Sequence, residues 1–192
     1  MHFGIDYGSK MAGTTVITYD EGNLLRQRSS LKNKDADQFI LQAIQDLKPT
    51  SVFIDAPLSL PKAYFGKGHD YFYREADKKL KAMSPMFLGG LTARAMKLKS
   101  ELVASGNEVF ETYPGALVRS NSELSSVYDK KAKKPNAALL GQIRNLLGTF
   151  KIESSLTNMH QIDSILAWYS GLRFAESRCQ IVGNKEEGII IY

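Results

Sequence analysis

The chain has 192 residues, 43% of them hydrophobic and 23% charged, a balance that fits one globular domain with its own core and excludes a collagen-like or wholly disordered chain. Its single cysteine, Cys179, excludes an internal disulfide framework and a thiolate metal centre, and agrees with a reducing compartment. The net charge of +5 weakly favours anionic partners, and no apolar run approaches the roughly 20 residues needed to span a bilayer.

The opening residues, Met-His-Phe-Gly-Ile-Asp-Tyr-Gly, enter a strand pattern at once, without the basic stretch and apolar run of a secretory leader, so a cytoplasmic location is expected. Three short β-favouring runs follow one another: His2 to Asp6, Thr14 to Tyr19 and Leu24 to Arg28. The glycine-containing turns between them, 8–13 and 20–22, predict an antiparallel meander. From Asp35 to Leu47, Phe39, Ile40, Ala43, Ile44 and Leu47 share one helical stripe, with Pro49 as a stop signal. The run Ser51 to Asp55 is too short for a helix. The helical crossover before it is what a strand parallel to the first requires.

Residues 58–104 read as an insertion of loop and helix: a basic helical stretch at 71–83, a Ser84-Pro85 break, and a second helix from about Leu91 to Val103. Glu108 to Tyr113 resumes strand character and Pro114 ends it. A lysine-rich loop then leads to a helix from Ala137 to Leu147. A long helix, about Ser155 to Glu176, places Met159, Ile162, Leu166, Tyr169 and Leu172 on one stripe, and Gly188 to Tyr192 reads as a late strand. The expected architecture is one domain, 1–192, of class α/β, with a βββαβ core, a mixed sheet, flanking helices and the insertion. No linker divides it.

Carboxylates in apolar strands are informative, because an unpaired charge in a central strand is costly. Asp6 follows Phe3 and Ile5, and Asp55 follows Val52, Phe53 and Ile54. Both stand at carboxyl ends of strands expected to be neighbours, where open α/β sheets place their ligands. The bland alternative for each is an aspartate capping the next turn. Asp163 lies at the edge of the buried stripe of the last long helix, with His160 three residues earlier on the same side. Glu111 lies near the end of another strand and either supplies a fourth carboxylate or positions a ligand, or is an edge-strand surface residue. Converging carboxylates repel one another and raise each other's pKa unless divalent cations neutralise them. The matching chemistry is phosphodiester hydrolysis with two hard cations, Mg²⁺ or Mn²⁺, held roughly 3.5–4 Å apart. The catalytic candidates are therefore Asp6, Asp55, Asp163 and Glu111, and the metal-ligand candidates Asp6, Asp55, Asp163 and His160.

The basic residues fall in three clusters: Arg74, Lys78, Lys79 and Lys81; Arg94, Lys97 and Lys99; and Lys130, Lys131, Lys133 and Lys134. Any one cluster is ordinary solubilising charge, whereas the three together favour phosphate contacts. The substrate-binding candidates are Lys10, Arg74, Lys78 and Arg94. For Arg74 the bland reading is a surface ion pair with Asp77. The segment Phe87-Leu-Gly-Gly-Leu-Thr92 precedes a helix whose amide groups suit a phosphate, but it lacks the lysine and spacing of a Walker loop.

Phe3 to Ile17 resembles the first hairpin of RuvC-type resolvases and their YqgF-type relatives. Ile54-Asp-Ala-Pro-Leu-Ser-Leu-Pro61, Arg74 to Asp77, Glu111-Thr-Tyr-Pro114, His160-Gln-Ile-Asp163 and Glu187-Gly-Ile are similar to the successive motifs of the domain of unknown function 429 family, predicted RNase H-like nucleases. The resemblance covers nearly the whole chain. It implies an RNase H-like fold and a metal site on Asp6, Asp55 and Asp163, with His160 where some resolvases carry an additional ligand; Glu111 has no settled counterpart there. The expected activity is metal-dependent cleavage of DNA or RNA. Two alternatives have distinct signatures: a nucleotide-hydrolysing protein of actin-like fold, which needs a second lobe, and a non-catalytic nucleic-acid-binding module. Nothing in the sequence separates DNA from RNA or a monomer from a homodimer.

Overall fold

The computed structural model describes residues 1–192. The first three strands, β1 (His2–Asp6), β2 (Val16–Glu21) and β3 (Leu24–Ser29), pair antiparallel in sequence order. Asp35 then caps α1 (Ala36–Leu47), its carboxylate accepting the N–H groups of Asp37 and Gln38. That helix carries the chain back to β4 (Ser51–Asp55), which pairs parallel to β1 with Asp6 directly opposite Asp55. The expected meander and parallel fourth strand are both present.

The insertion is less helical than its periodicity suggests. It holds a 3₁₀ turn (Lys62–Phe65) and the short helices α2 (Glu75–Leu80) and α3 (Pro85–Leu88). The longer α4 (Gly90–Ala104) leads to β5 (Glu108–Thr112). Pro114 ends that strand and also begins a helix, α5 (Pro114–Ser120). Its missing N–H costs nothing at the first helical position, and its ring pre-sets φ for the turn. The lysine-rich segment contains α6 (Ser122–Val127), capped by Asn121, and α7 (Ala137–Leu147) follows. A two-residue strand β6 (Lys151–Ile152), the long helix α8 (Met159–Ala175) and a hairpin of β7 (Ile181–Asn184) and β8 (Gly188–Ile191) complete the fold.

All eight strands form one mixed sheet in the order β6-β3-β2-β1-β4-β5-β8-β7. Its two faces are covered by different helices. Phe3, Ile5, Val52 and Ile54 pack with Ile40, Ala43, Leu98 and Leu102 of α1 and α4. On the other face α8 joins Leu117, Leu124, Leu139 and Ile143 of α5, α6 and α7. Helix α8 is therefore central, and more of its circumference is buried than the expected stripe: Ser164, Ile165, Ala167, Trp168 and Gly171 are also enclosed. No helix is long and apolar enough to cross a membrane.

Glycine is required where α8 meets β1. A Cβ on Gly4 would stand 2.0 Å from the backbone nitrogen of Trp168 and 2.5 Å from the carbonyl oxygen of Ser164. Gly171 allows a second close approach, against the rings of His2 and Phe53. Two small residues thus set the depth at which α8 lies on the sheet, and with it the position of its first two turns.

Candidate active site

Strand alternation decides which way the aspartates point. Gly4 faces α8, so Asp6, two residues on, faces the same side; Phe53 meets α8, and Asp55 follows it in the same way. Helix α8 begins beside these strand ends, its start fixed by a reciprocal cap between Asn158 and Gln161. His160 and Asp163 lie in its first two turns, where the positive end of the helix favours negative charge. The imidazole Nδ1 of His160 is 2.7 Å from Oδ2 of Asp6. The hydroxyl of Tyr128 donates to Oδ1 of Asp163 at 2.6 Å.

The three aspartates feel one another. Burial pushes the Asp55 carboxyl well above the usual carboxylate range, and the charges of Asp6 and Asp163 push it further. Asp163 is raised to about 6 by burial and then by Asp6, against the opposing bond from Tyr128. Asp6 is raised by burial, with His160 offsetting part of the effect. The same bond raises the His160 imidazole, so proton and carboxylate favour each other there. The cation that faces this trio is Lys130, whose charge lowers all three aspartates.

Asp6 and Asp55 open on a cleft of about 210 Å³ whose walls include Ala82, Met83, Leu88 and Leu91 of the insertion on one side and Tyr113 and Lys130 on another. His160 and Asp163 stand outside that lining. The donors suit a hard divalent cation, being carboxylate oxygens in a water-accessible cleft. As the side chains stand, no three acidic, histidine or cysteine groups form a set close enough to hold a metal ion. Asp6 and Asp163 are each turned to a hydrogen-bond partner of their own.

Glu111 lines the cleft but is committed elsewhere. Its two oxygens accept from Nη1 and Nη2 of Arg74 at 2.7 and 2.6 Å, and one also accepts the Leu58 N–H at 2.8 Å. Arg74 is 1% exposed, and all five of its N–H groups are used, on Glu111, Asp77 and Ser59. This corrects both readings of Arg74: it is neither a surface ion pair nor free to grip a substrate. It is the hub that ties α2 to β5. Glu187 extends the assembly, its carboxylate accepting the N–H groups of Lys62 and Glu75 at 3.0 Å each.

The other expected phosphate contacts are also engaged. Lys10 pairs with Asp35 at 3.0 Å, and Lys78 with Asp70 at 2.5 Å. Arg94 holds Asp37 through two nitrogens, donates to the Gly8 carbonyl and lies over the Tyr7 ring. None of the three lines the cleft. Lys130 was legible only as one lysine in a run of four, and Tyr128 carried no signal at all, because both face the aspartates through the path of the backbone after α6. No family model, curated protein or solved structure matches the chain.

Proposed function

We propose that the chain is an RNase H-like nuclease that hydrolyses phosphodiester bonds of DNA or RNA with the help of Mg²⁺ or Mn²⁺. The observation that carries this reading is the register of β1 and β4, which sets Asp6 directly opposite Asp55 at the carboxyl ends of two central parallel strands, with Asp163 close enough to raise the pKa of Asp55. The strand order 3-2-1-4-5 within the sheet, with the first three strands antiparallel and the next two parallel, is the arrangement that the βββαβ core of that fold requires. The motif resemblance points the same way.

In this reading Asp6, Asp55 and Asp163 hold the cations. Bound there, a divalent metal would offset the carboxylate repulsion, activate water and stabilise the leaving oxygen. The chain's own residues do the rest. His160 orients Asp6 through Nδ1, and Tyr128 holds Asp163 in one rotamer. Lys130 supplies the positive charge that draws a phosphodiester to an otherwise acidic floor.

The test is incubation of the purified protein with labelled single- and double-stranded DNA and RNA in Mn²⁺, Mg²⁺ or EDTA. Cleavage that needs the metal, and is lost in Asp55→Asn with an unchanged circular dichroism spectrum, is the expected result. Metal-independent cleavage, or full activity in Asp55→Asn, overturns the assignment.

A further inference from the structure

Beside the wall of the cleft, the insertion carries apolar side chains that the core does not use. Phe72 is 55% exposed, Met83 59% and Phe87 64%. The rings of Phe72 and Phe87 lie 5.8 Å apart and tilted by 44°, and Tyr73 meets Phe87 edge-on at 5.9 Å. Large rings held together in water are unfavourable for a free surface and mark a place of contact. Met83, which precedes α3, and Leu88, which ends it directly after Phe87, line the cleft itself, so the aromatic ridge stands at its rim.

The ridge is held in place. Asp70 accepts the backbone N–H groups of Phe72 and Tyr73 at 2.8 and 2.9 Å, while Ser84 donates its hydroxyl to the Phe72 carbonyl and accepts the Met86 N–H. Both phenylalanines are therefore presented on fixed backbone, and little ordering is lost on binding.

The charge around the ridge identifies the occupant. Lys79 and Lys81, on the segment leading into Met83, are exposed and belong to no ion pair, and Lys130, likewise exposed and outside any ion pair, lines the cleft. Flat apolar faces flanked by unpaired cations match a ligand of flat bases on an anionic backbone. A duplex hides its base faces by stacking and has no use for such rings.

We propose that the ridge of Phe72 and Phe87 stacks unpaired bases of a single-stranded nucleic acid, with Lys79 and Lys81 on its phosphates, and so selects single-stranded substrate. This rests on the nuclease reading for its biological meaning but not for its measurement. Binding is read by fluorescence anisotropy of the intact protein with a labelled 12-nucleotide single strand and with the matching duplex, in EDTA to prevent turnover. Phe72→Ala and Phe87→Ala are each expected to weaken single-strand binding by about tenfold and duplex binding by less than twofold. Lys79→Ala with Lys81→Ala is expected to weaken both and to flatten the salt dependence.

Unchanged single-strand affinity in both phenylalanine variants overturns the proposal, as does an equal loss on duplex or the absence of binding by the wild type. So does a dimer, seen by sedimentation velocity, that dissociates on Phe87→Ala while oligonucleotide binding stays intact. Ridge-dependent binding without cleavage in any divalent metal would sink the nuclease reading alone. Cleavage with ridge-independent binding would sink only the ridge.

Discussion

Gly4 and Trp168 touch backbone to backbone: the position a methyl would occupy on Gly4 is 2.0 Å from the nitrogen of Trp168. Neither side of that contact is a flexible side chain, so the strain cannot be relieved by a rotamer. Gly4→Ala is expected to lower stability by about 3 kcal/mol or more, measured by urea denaturation. In whatever fraction still folds, the start of α8 must shift, so metal-dependent cleavage should fall further than stability alone explains. A variant as stable as wild type would mean that α8 does not seat at this depth.

Removing the Arg74 guanidinium leaves Asp77 and Glu111 as buried carboxylates without their cation. Arg74→Ala should therefore cost about 3–5 kcal/mol, and Arg74→Lys should recover little of it, because an ammonium cannot reach both carboxylates and Ser59 at once. Thermal melts decide the matter. A stable Arg74→Ala protein with weakened substrate binding would return Arg74 to the role of a surface grip.

The aspartate trio predicts a trade between stability and function. Asp55→Asn replaces a carboxyl whose ionisation is opposed by burial and by two neighbouring carboxyls with a neutral amide, so in EDTA at neutral pH its Tm should exceed that of the wild type, by the few degrees that about 1 kcal/mol gives a chain of this size. Millimolar Mn²⁺ should raise the Tm of wild type through binding to the folded state only. The same addition should leave Asp55→Asn nearly unmoved. A destabilised variant, or equal metal shifts in both proteins, contradicts the shared site.

Asp70 gives a pH signature in the ridge. Its carboxyl is lowered to about 2 by the Lys78 ammonium and by the N–H groups of Tyr73 and Phe72. A depressed folded pKa means the folded state favours the ionised form. The stabilisation is complete above the unfolded value near 4 and is lost as pH falls through about 2. Because the pair is exposed, the contribution is under about 1 kcal/mol. Asp70→Asn should be slightly less stable than wild type at pH 6, with the difference shrinking as pH falls from about 4 through about 2. A constant difference across that range would separate the loop's order from this charge.

What was legible in the sequence came from local pattern. The apolar strand residues before Asp6 and Asp55, the stripe of α1 and the parallel crossover are all encoded within a few residues of where they act. The partners of charged groups are not. Arg74 looks like a surface residue because Glu111, which neutralises it, is 37 positions away, and no helical spacing reveals that β5 runs beneath it. Pro114 is legible as a strand stop but serves equally as a helix start, so the pattern does not reveal α5. The lysine-rich stretch concealed α6, whose signal is the small cap at Asn121. Helical spacing puts His160 and Asp163 on one side of their helix, but the bond from His160 to Asp6 spans 154 positions.

Those long separations bear on the order in which the molecule is completed. Asp6 and Asp55 are brought together by a meander and one crossover, so their half of the cleft can form early. Asp163 arrives only when α8 docks, more than a hundred residues later. The wall with the ridge is pinned by Glu187, 112 positions from Glu75 and 125 from Lys62. Loops of that size close late in folding. During synthesis the acidic floor is therefore exposed as an incomplete pair of carboxylates, without the third aspartate or the wall. The candidate site is therefore the last part of the fold that the chain's long-range contacts complete.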